Sequence, residues 1–364
     1  MKEPKPVTPV DLLQGHLRLD AIIDARSPAE YALDHLPGAI CLPVLSDDER
    51  ARVGLLNREA SAFEAHRLGA GLVSANIARH LQGPLADKPR DFRALVYCWR
   101  GGNRSGALAT VMARVGWQVM LLEGGYKAWR KAMLDTLSHR IGALSLIVLA
   151  GRTGTGKSRV LTRMGELGAQ VLDLEALARH RGSVLGAIPG DAQPSQKHFE
   201  TLLWSAIAGF ETQRPVWVES ESRKIGAVQV PHDLIVAMRA SPCLTIDMPA
   251  DMRCELLLDD YPHLVDDPRH LLLQLERLQA LHGQERLEHW RDQIAQGQFR
   301  PFVLDLLQSH YDPAYDRSMK RNYLDQASGR AISPDAGVDS LDEMIEDLAR
   351  QALALEAGLA RAQR

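Results

Sequence analysis

The 364-residue sequence predicts an α/β protein of two tandem domains, each a sheet flanked by helices, with a helical C-terminal region on the second. Three observations carry this. The chain is longer than one ordinary hydrophobic core accommodates. In both halves, short β-rich apolar runs alternate with helix-period segments, the pattern of parallel strands joined by crossover helices. The pattern also breaks off and restarts near residues 135–143, which divides the chain into domains 1–137 and 138–364.

The elements follow in order. Residues 20–24, "DAIID", read as a short buried strand ending in an acid. Ser27 before Pro28, with Glu30 three residues on, reads as a helix start, and a Pro-Gly turn and a second strand come next. Residues 60–82 show helical spacing. "RALVYC" (93–98) is β-rich, 104–115 is helical, "WQVMLLEGG" is a strand running into a Gly pair, and "YKAWRKAML" is a helix. The second half opens on the apolar strand "ALSLIVLAG", followed by a Gly-rich turn and a helix. "AQVLDLEAL", "PVWVES" and "CLTIDMP" are its further strands. From about residue 266 the chain reads as mostly helical, and 341–364 form an amphipathic helix expected to pack against or cap the domain.

Composition bounds the function. Hydrophobic residues make up 45% and charged residues 24%, as in a globular protein. The net charge of −3 gives no global basic field, so a nucleic-acid site must be a local patch. Cys41, Cys98, Cys243 and Cys254 form no CxxC pair, which argues against a disulfide framework or zinc site and for a reducing cytoplasm. "MKEPKPVTPVDLLQ" lacks the apolar stretch of a signal peptide, and no apolar run reaches the ~18 residues of a membrane span, so no membrane partner is expected.

The first chemical motif is "VYCWRGGNRSGAL". Cys98 follows a strand and precedes a helix expected to start near Arg104. Inward backbone N–H groups, the helix N-terminus, Arg100 and Arg104 all favour a thiolate over a thiol. The same cradle suits an anionic persulfide, perselenide or phosphate, and Gly101 and Gly102 permit its tight path. A loop this polar is a poor place for a merely structural cysteine. Cys98, Arg100 and Arg104 are therefore the candidate catalytic residues. The spacing C-x-x-G-x-x-R-S also matches a cysteine phosphatase loop, although Tyr97 stands where such enzymes usually carry His.

The second motif, "GRTGTGKS", satisfies G-x-x-x-x-G-K-[ST] between a strand and a helix, the context of a phosphate-binding loop. Gly151, Thr153, Gly154, Thr155 and Gly156 form the loop, whose 154–158 N–H groups and helix dipole face an anion. Lys157 adds a point charge and Ser158 is placed to ligate Mg²⁺. Asp173 and Glu219 are rival partner acids, each equally at home as a helix cap; Glu221 lies two residues on. The motif specifies a di- or triphosphate, and leaves open whether a nucleotide carries it.

Segments around Cys98 carry a resemblance. "IDARSPAEYALDHLPGAICLPV", with Asp24, Arg26, Glu30, His35, Gly38 and Ala39, and "VMLLEGGYKAWR", with Gly124, Gly125 and Trp129, resemble rhodanese domains over residues 15–135. That resemblance makes Cys98 the nucleophile and gives Asp24, Arg26 and His35 bracing roles. "YCWRGGNRSGAL", "LAGRTGTGKS", "LDLEALARHRGSVLG", "QPSQKHFETLLW", "WVESESRKIG" and "YDPAYDRSM" together resemble the tRNA 2-selenouridine synthase family, with a rhodanese-like domain joined to a P-loop NTPase-like domain.

The resemblance implies a transferase acting on tRNA, at wobble 2-thiouridine in the anticodon stem-loop. It implies geranyl diphosphate and selenophosphate as co-substrates and an S-geranyl intermediate that selenium displaces. Arg179, His180, Arg181, Gln196, Lys197 and Arg223 become candidate substrate contacts. Gln193, Ser195 and Phe199 lie in the same motifs, and Lys224, Lys320 and Arg321 are further basic spots. Trp99, Tyr311 and Tyr315 are candidate platforms for a flipped base. The rival reading is a rhodanese-type sulfurtransferase or Cys-loop phosphatase fused to an NTP-dependent kinase or NTPase. Nothing in the sequence demands more than a monomer.

Overall fold

The computed structural model describes residues 3–59, 61–183, 186–188, 190–262, 268–322, 330–335, 337–338 and 340–361. The motif residues Val184 and Leu185, and the last three residues of the anticipated C-terminal helix, lie outside this set. Two compact units form: residues 1–139 with 194–205, and residues 140–193 with 206–364.

The first unit is built on strands β1 (Lys5–Val7), β2 (Ala21–Asp24), β3 (Ala39–Cys41), β4 (Arg93–Tyr97) and β5 (Gln118–Leu122). They lie parallel in the order β1-β5-β4-β2-β3. β4 is central and its side chains alternate between two cores, as a strand's period of two requires. Ala94 and Val96 join Ile23, Leu108 and Met112, while Leu95 and Tyr97 join Leu36, Tyr126 and Trp129. The register pairs Asp24 with Tyr97, so β2 and β4 end level and Cys98 emerges at the carboxyl edge of the sheet.

Two elements here escape the sequence pattern. β1 holds only three residues, one of them Pro6; proline is tolerated because this is an edge strand paired with β5 alone. Helix Asp47–Glu59 buries no residue, so it has no apolar stripe to read. Its start is set by Ser46 Oγ, which accepts the Glu49 N–H at 3.1 Å, and by three acids in its first turn.

Residues 194–205 correct the anticipated boundary, because they pack into the first unit. Ser195 Oγ donates to the Leu33 carbonyl and Thr201 Oγ1 to Asp34 Oδ2 at 3.1 Å. Arg130 pairs with both Asp34 and Glu200, and Trp204 stands edge-on to Trp129.

The second unit contains β6 (Leu146–Gly151), β7 (Gln170–Leu172), β8 (Val216–Glu219), a small hairpin of β9 (Lys224–Ile225) and β10 (Val228–Gln229), β11 (Cys243–Ile246) and β12 (Ala331–Ile332). Its sheet is parallel in the order β12-β11-β6-β8-β7. The chain leaves central β6 for strands on one side and returns to the other, and such a reversal opens a crevice at the carboxyl ends. Helix Leu341–Arg361 packs Met344, Ile345, Leu348 and Ala352 into this core, as its amphipathic pattern anticipated. Helices Pro268–Leu275, Gln279–Ala295 and Phe299–Leu306 enclose a separate apolar cluster around Trp290. Among the described residues no helix is long and apolar enough to cross a membrane.

Candidate active site: two anion-binding loops

In the first unit, the loop after β4 is pinned from behind. Tyr126 N–H donates to the Cys98 carbonyl at 2.8 Å and Lys127 N–H to the Trp99 carbonyl at 3.0 Å. Gly125, at φ +58°, allows this approach: a Cβ there would stand 2.3 Å from the Cys98 oxygen. Cys98 is buried, and the Ser105 hydroxyl donates to its sulfur at 3.1 Å. Burial opposes ionisation of the thiol. The Ser105 hydroxyl and N–H, the Arg104 charge and the Arg100 N–H outweigh it and hold the thiol below its ordinary pKa. Burial pushes the half-buried Cys41, with help from the Asp24 charge, and the buried Cys243, against a Thr245 hydrogen bond, both up to about 11.

The two loop arginines differ. Arg100 is exposed. Arg104 is held in a two-pronged pair with Glu30, at 2.6 and 3.3 Å, which Arg50 also joins, so part of its charge is already answered. Trp99 stacks on Tyr126 and lies under the Lys197 ammonium at 5.6 Å.

Arg26 and Asp24 form a fully buried pair at 2.6 Å; Arg26 also donates to the Asp34 carbonyl and lies 4.2 Å from the Tyr126 ring centre. His35 stacks on Tyr31 at 3.9 Å, with Nδ1 2.9 Å from the Tyr31 carbonyl oxygen.

In the second unit, residues 151–158 join β6 to helix Lys157–Glu166. Gly156, at φ +71°, makes the turn into the helix, where a Cβ would strike Ile345. Lys157 Nζ donates to the Gly151 carbonyl at 2.7 Å. The loop is braced from afar. Tyr315 Oη accepts the Gly151 N–H at 2.8 Å, and buried Arg253 donates to the Thr153 carbonyl while gripping Asp312 through both nitrogens. Thr155 is a correction to the anticipated phosphate contacts: it is buried, and its N–H and hydroxyl both donate to the Arg152 carbonyl, closing the loop.

The partner acid also departs from expectation. Ser158 Oγ donates to Glu175 at 2.8 Å, and Glu175 N–H donates to Glu219. Asp173 caps helix Leu174–Ala178 by accepting the Ala176 N–H at 2.8 Å. Glu219 is buried, with Oε2 lacking a partner among the described residues. Burial, reinforced by the other acids, lifts its pKa well above the carboxylate range and lifts Glu221 to about 8. Glu175 rather than Asp173 is therefore the acid beside Ser158, and the sequence carried no local signal for it.

A cavity of about 600 Å³ opens over this loop. It gathers Gly154, Gly156, Lys157 and Ser158 with Glu175, Glu221, Arg181, Arg223, Tyr311 and Tyr315. The anticipated substrate residues divide. Arg181 and Arg223 line the cavity. Arg179 pairs instead with Asp191 at the surface, and His180 is buried. Gln196 and Lys197 belong to the first unit, Gln196 bonded to Glu200 and Lys197 over Trp99. Gln193 donates to the Ala178 and Ile225 carbonyls, and Phe199 is core. Of the basic run 319–323, Tyr323 lies outside the described residues.

Comparison with known proteins agrees with both halves. Residues 9–132 match the rhodanese-like domain model, and residues 144–295 match the model of the tRNA 2-selenouridine synthase AAA domain. A tRNA 2-selenouridine synthase of Marinobacter nauticus is 32% identical over 335 residues, covering 84% of this chain and 90% of that protein. One of Alcanivorax borkumensis is 31% identical over 85% of this chain and 92% of its own length. One of Nitrosomonas europaea is 36% identical over 66% of this chain and 63% of that protein. With a family model matched in each half and this coverage across both units, the chain belongs to the tRNA 2-selenouridine synthase family.

Proposed function

We propose that the chain is a transferase that converts wobble 2-thiouridine of tRNA to 2-selenouridine through an S-geranyl intermediate, using geranyl diphosphate and selenophosphate. The observation that carries this reading is the pairing of a donor-rich thiol loop with a phosphate loop whose cavity is rimmed by Arg181 and Arg223. In the first step the thiouridine sulfur bonds to C1 of the prenyl chain, the C1–O bond breaks, diphosphate leaves and the N3 proton goes to solvent. Lys157 and the loop N–H groups neutralise the departing charge. Alkylation turns the sulfur into a good leaving group. In the second step selenium of selenophosphate attacks C2 and geranyl thiolate departs, taking a proton from solvent; water then cleaves the Se–P bond and releases phosphate, leaving 2-selenouridine, with Cys98 as activator of the selenophosphate and Arg100 and Arg104 steadying its anion.

Mg²⁺ is compatible with the phosphate loop. Among the described residues no three His, Cys, Asp or Glu could hold a metal together. Ser158 and substrate phosphate oxygens would therefore be its ligands, with Glu175 beside Ser158. The unpartnered Glu219 oxygen fits a site that gains charge on loading. In a metal-loaded site the ion would supply further charge neutralisation to the leaving group. The tRNA would be held by phosphate contacts from local basic side chains, with Trp99, Tyr311 or Tyr315 stacking on the exposed base. Four free cysteines suit a reducing compartment such as the cytoplasm.

The test is nucleoside mass spectrometry of 2-thiouridine tRNA incubated with the protein and geranyl diphosphate. A geranyl mass gain on 2-thiouridine is expected. Turnover of thiosulfate or p-nitrophenyl phosphate without tRNA, and no mass gain, would favour the sulfurtransferase or phosphatase reading.

A further inference from the structure

A second cavity abuts the phosphate-loop cavity in the second unit. The two share Thr153, Ser183, Leu257, Tyr261 and Tyr311, so the second adjoins the first along one wall. Their chemistry differs sharply. The second is narrow, about 70 Å³, and lined by Leu258, Phe299, Phe302, Val303 and Leu306, with almost no polar surface. Leu257 sits at the junction, with its side chain against Gly154 of the loop. At the mouth, the helix that begins at Phe299 widens into a π-helical turn, Leu307–Tyr311; such turns are rare and concentrate at functional sites. Away from the shared residues the slot wall includes buried Leu271, Phe302 and Leu306, and Phe302 stands edge-on to Trp290 at 6.3 Å.

A nucleotide has no use for such a slot, because a ribose and base need polar partners. The geometry points to an amphiphile with its anionic head on the phosphate loop and its hydrocarbon tail in the slot. We propose that this slot takes the terminal isoprene unit of the allylic diphosphate, whose nearer carbons lie along Leu257, Tyr261 and Tyr311, with Phe302 as the wall that limits chain length. The assignment rests on the reading under Proposed function and deepens it.

The test is calorimetric titration of the full chain with inorganic diphosphate, ADP, geranyl diphosphate and farnesyl diphosphate. Each buried methylene is worth about four-fold in affinity. Geranyl diphosphate is therefore expected to bind at least about 100-fold more tightly than inorganic diphosphate or ADP. Val303→Asp, a charge placed on the half-buried slot wall, is expected to remove most of that advantage and leave inorganic diphosphate binding unchanged. Phe302→Ala, with Phe302→Leu as the better-tolerated variant, is expected to shift preference from geranyl towards farnesyl by about ten-fold.

Equal binding of geranyl and inorganic diphosphate, or equal weakening of both by Val303→Asp, overturns the slot while leaving the head-group reading intact. Wild-type affinity for farnesyl equal to that for geranyl overturns the role of Phe302. Absence of any Lys157-dependent diphosphate binding overturns the head-group reading, and the slot with it.

Discussion

The Ser105 hydroxyl donates to the Cys98 sulfur at 3.1 Å from the first turn of the helix that follows the loop. This bond ties the reactivity of the thiol to the fold, since Ser105 is itself buried and the helix start fixes its direction. A hydrogen bond to a charged group is worth about 1.5–3 kcal/mol, or roughly one to two pKa units. Ser105→Ala should therefore raise the Cys98 pKa and slow alkylation by iodoacetamide about ten-fold or more at neutral pH, with rates converging above pH 10. An unchanged pH profile would show that Ser105 does not hold the thiolate.

The acids under the phosphate loop carry a pH signature. Glu221, lifted to about 8 by burial and the neighbouring acids, keeps its proton in the folded chain where the unfolded chain has lost it. Its folded pKa lies above the unfolded one, so the folded state binds more protons between about pH 4.5 and 8, and stability falls as pH rises through that window. Glu221→Gln should then raise the melting temperature at pH 8 and change it little at pH 4.5. Thermal unfolding at both values, without added metal or diphosphate, checks this.

The buried pair Arg26–Asp24 ties the carboxyl end of β2 to the Asp34 carbonyl. Breaking such a pair strands a charge and costs about 3–5 kcal/mol. Arg26→Met should destabilise less than Arg26→Ala, because its chain still covers the Tyr126 ring. Urea denaturation should separate the two, with Asp24→Asn also strongly destabilised.

Arg253 holds the phosphate loop by its Thr153 carbonyl and is itself gripped by Asp312 at 2.8 and 2.7 Å. Arg253→Lys should weaken diphosphate binding about ten-fold, because an ammonium cannot reproduce the two-pronged contact. Titration of inorganic diphosphate against both forms measures the difference.

What the sequence disclosed, and what it withheld, follows one physical line. Both loops were legible because their residues are neighbours in the chain: Gly156, Lys157 and Ser158 sit within one turn, and Cys98 and Ser105 span one loop and one helix start. The sheet strands Ala94–Tyr97 and Leu146–Ala150 were legible because burial on both faces leaves them unbroken apolar runs. The loop braces were not. Tyr315 reaches Gly151 across 164 positions and Arg253 reaches Asp312 across 59, and no local period encodes such pairs. Asp173 looked like a metal-site acid because acids at strand ends serve equally as helix caps, and only the placement of Glu175 against Ser158 decides between them. Residues 194–205 read as part of the second domain because nothing in their own pattern reveals Arg130, Asp34 and Trp129 as their partners.

The division of labour between the two loops is the central claim, and one experiment addresses it directly. 2-Thiouridine tRNA is incubated with geranyl diphosphate and selenophosphate together, using wild-type protein, Cys98→Ala and Lys157→Ala, and the nucleosides are resolved by mass. Wild type should yield 2-selenouridine, Cys98→Ala should stop at S-geranyl-2-thiouridine, and Lys157→Ala should leave 2-thiouridine untouched. Loss of geranylation in Cys98→Ala, with the protein still folded, would contradict the account.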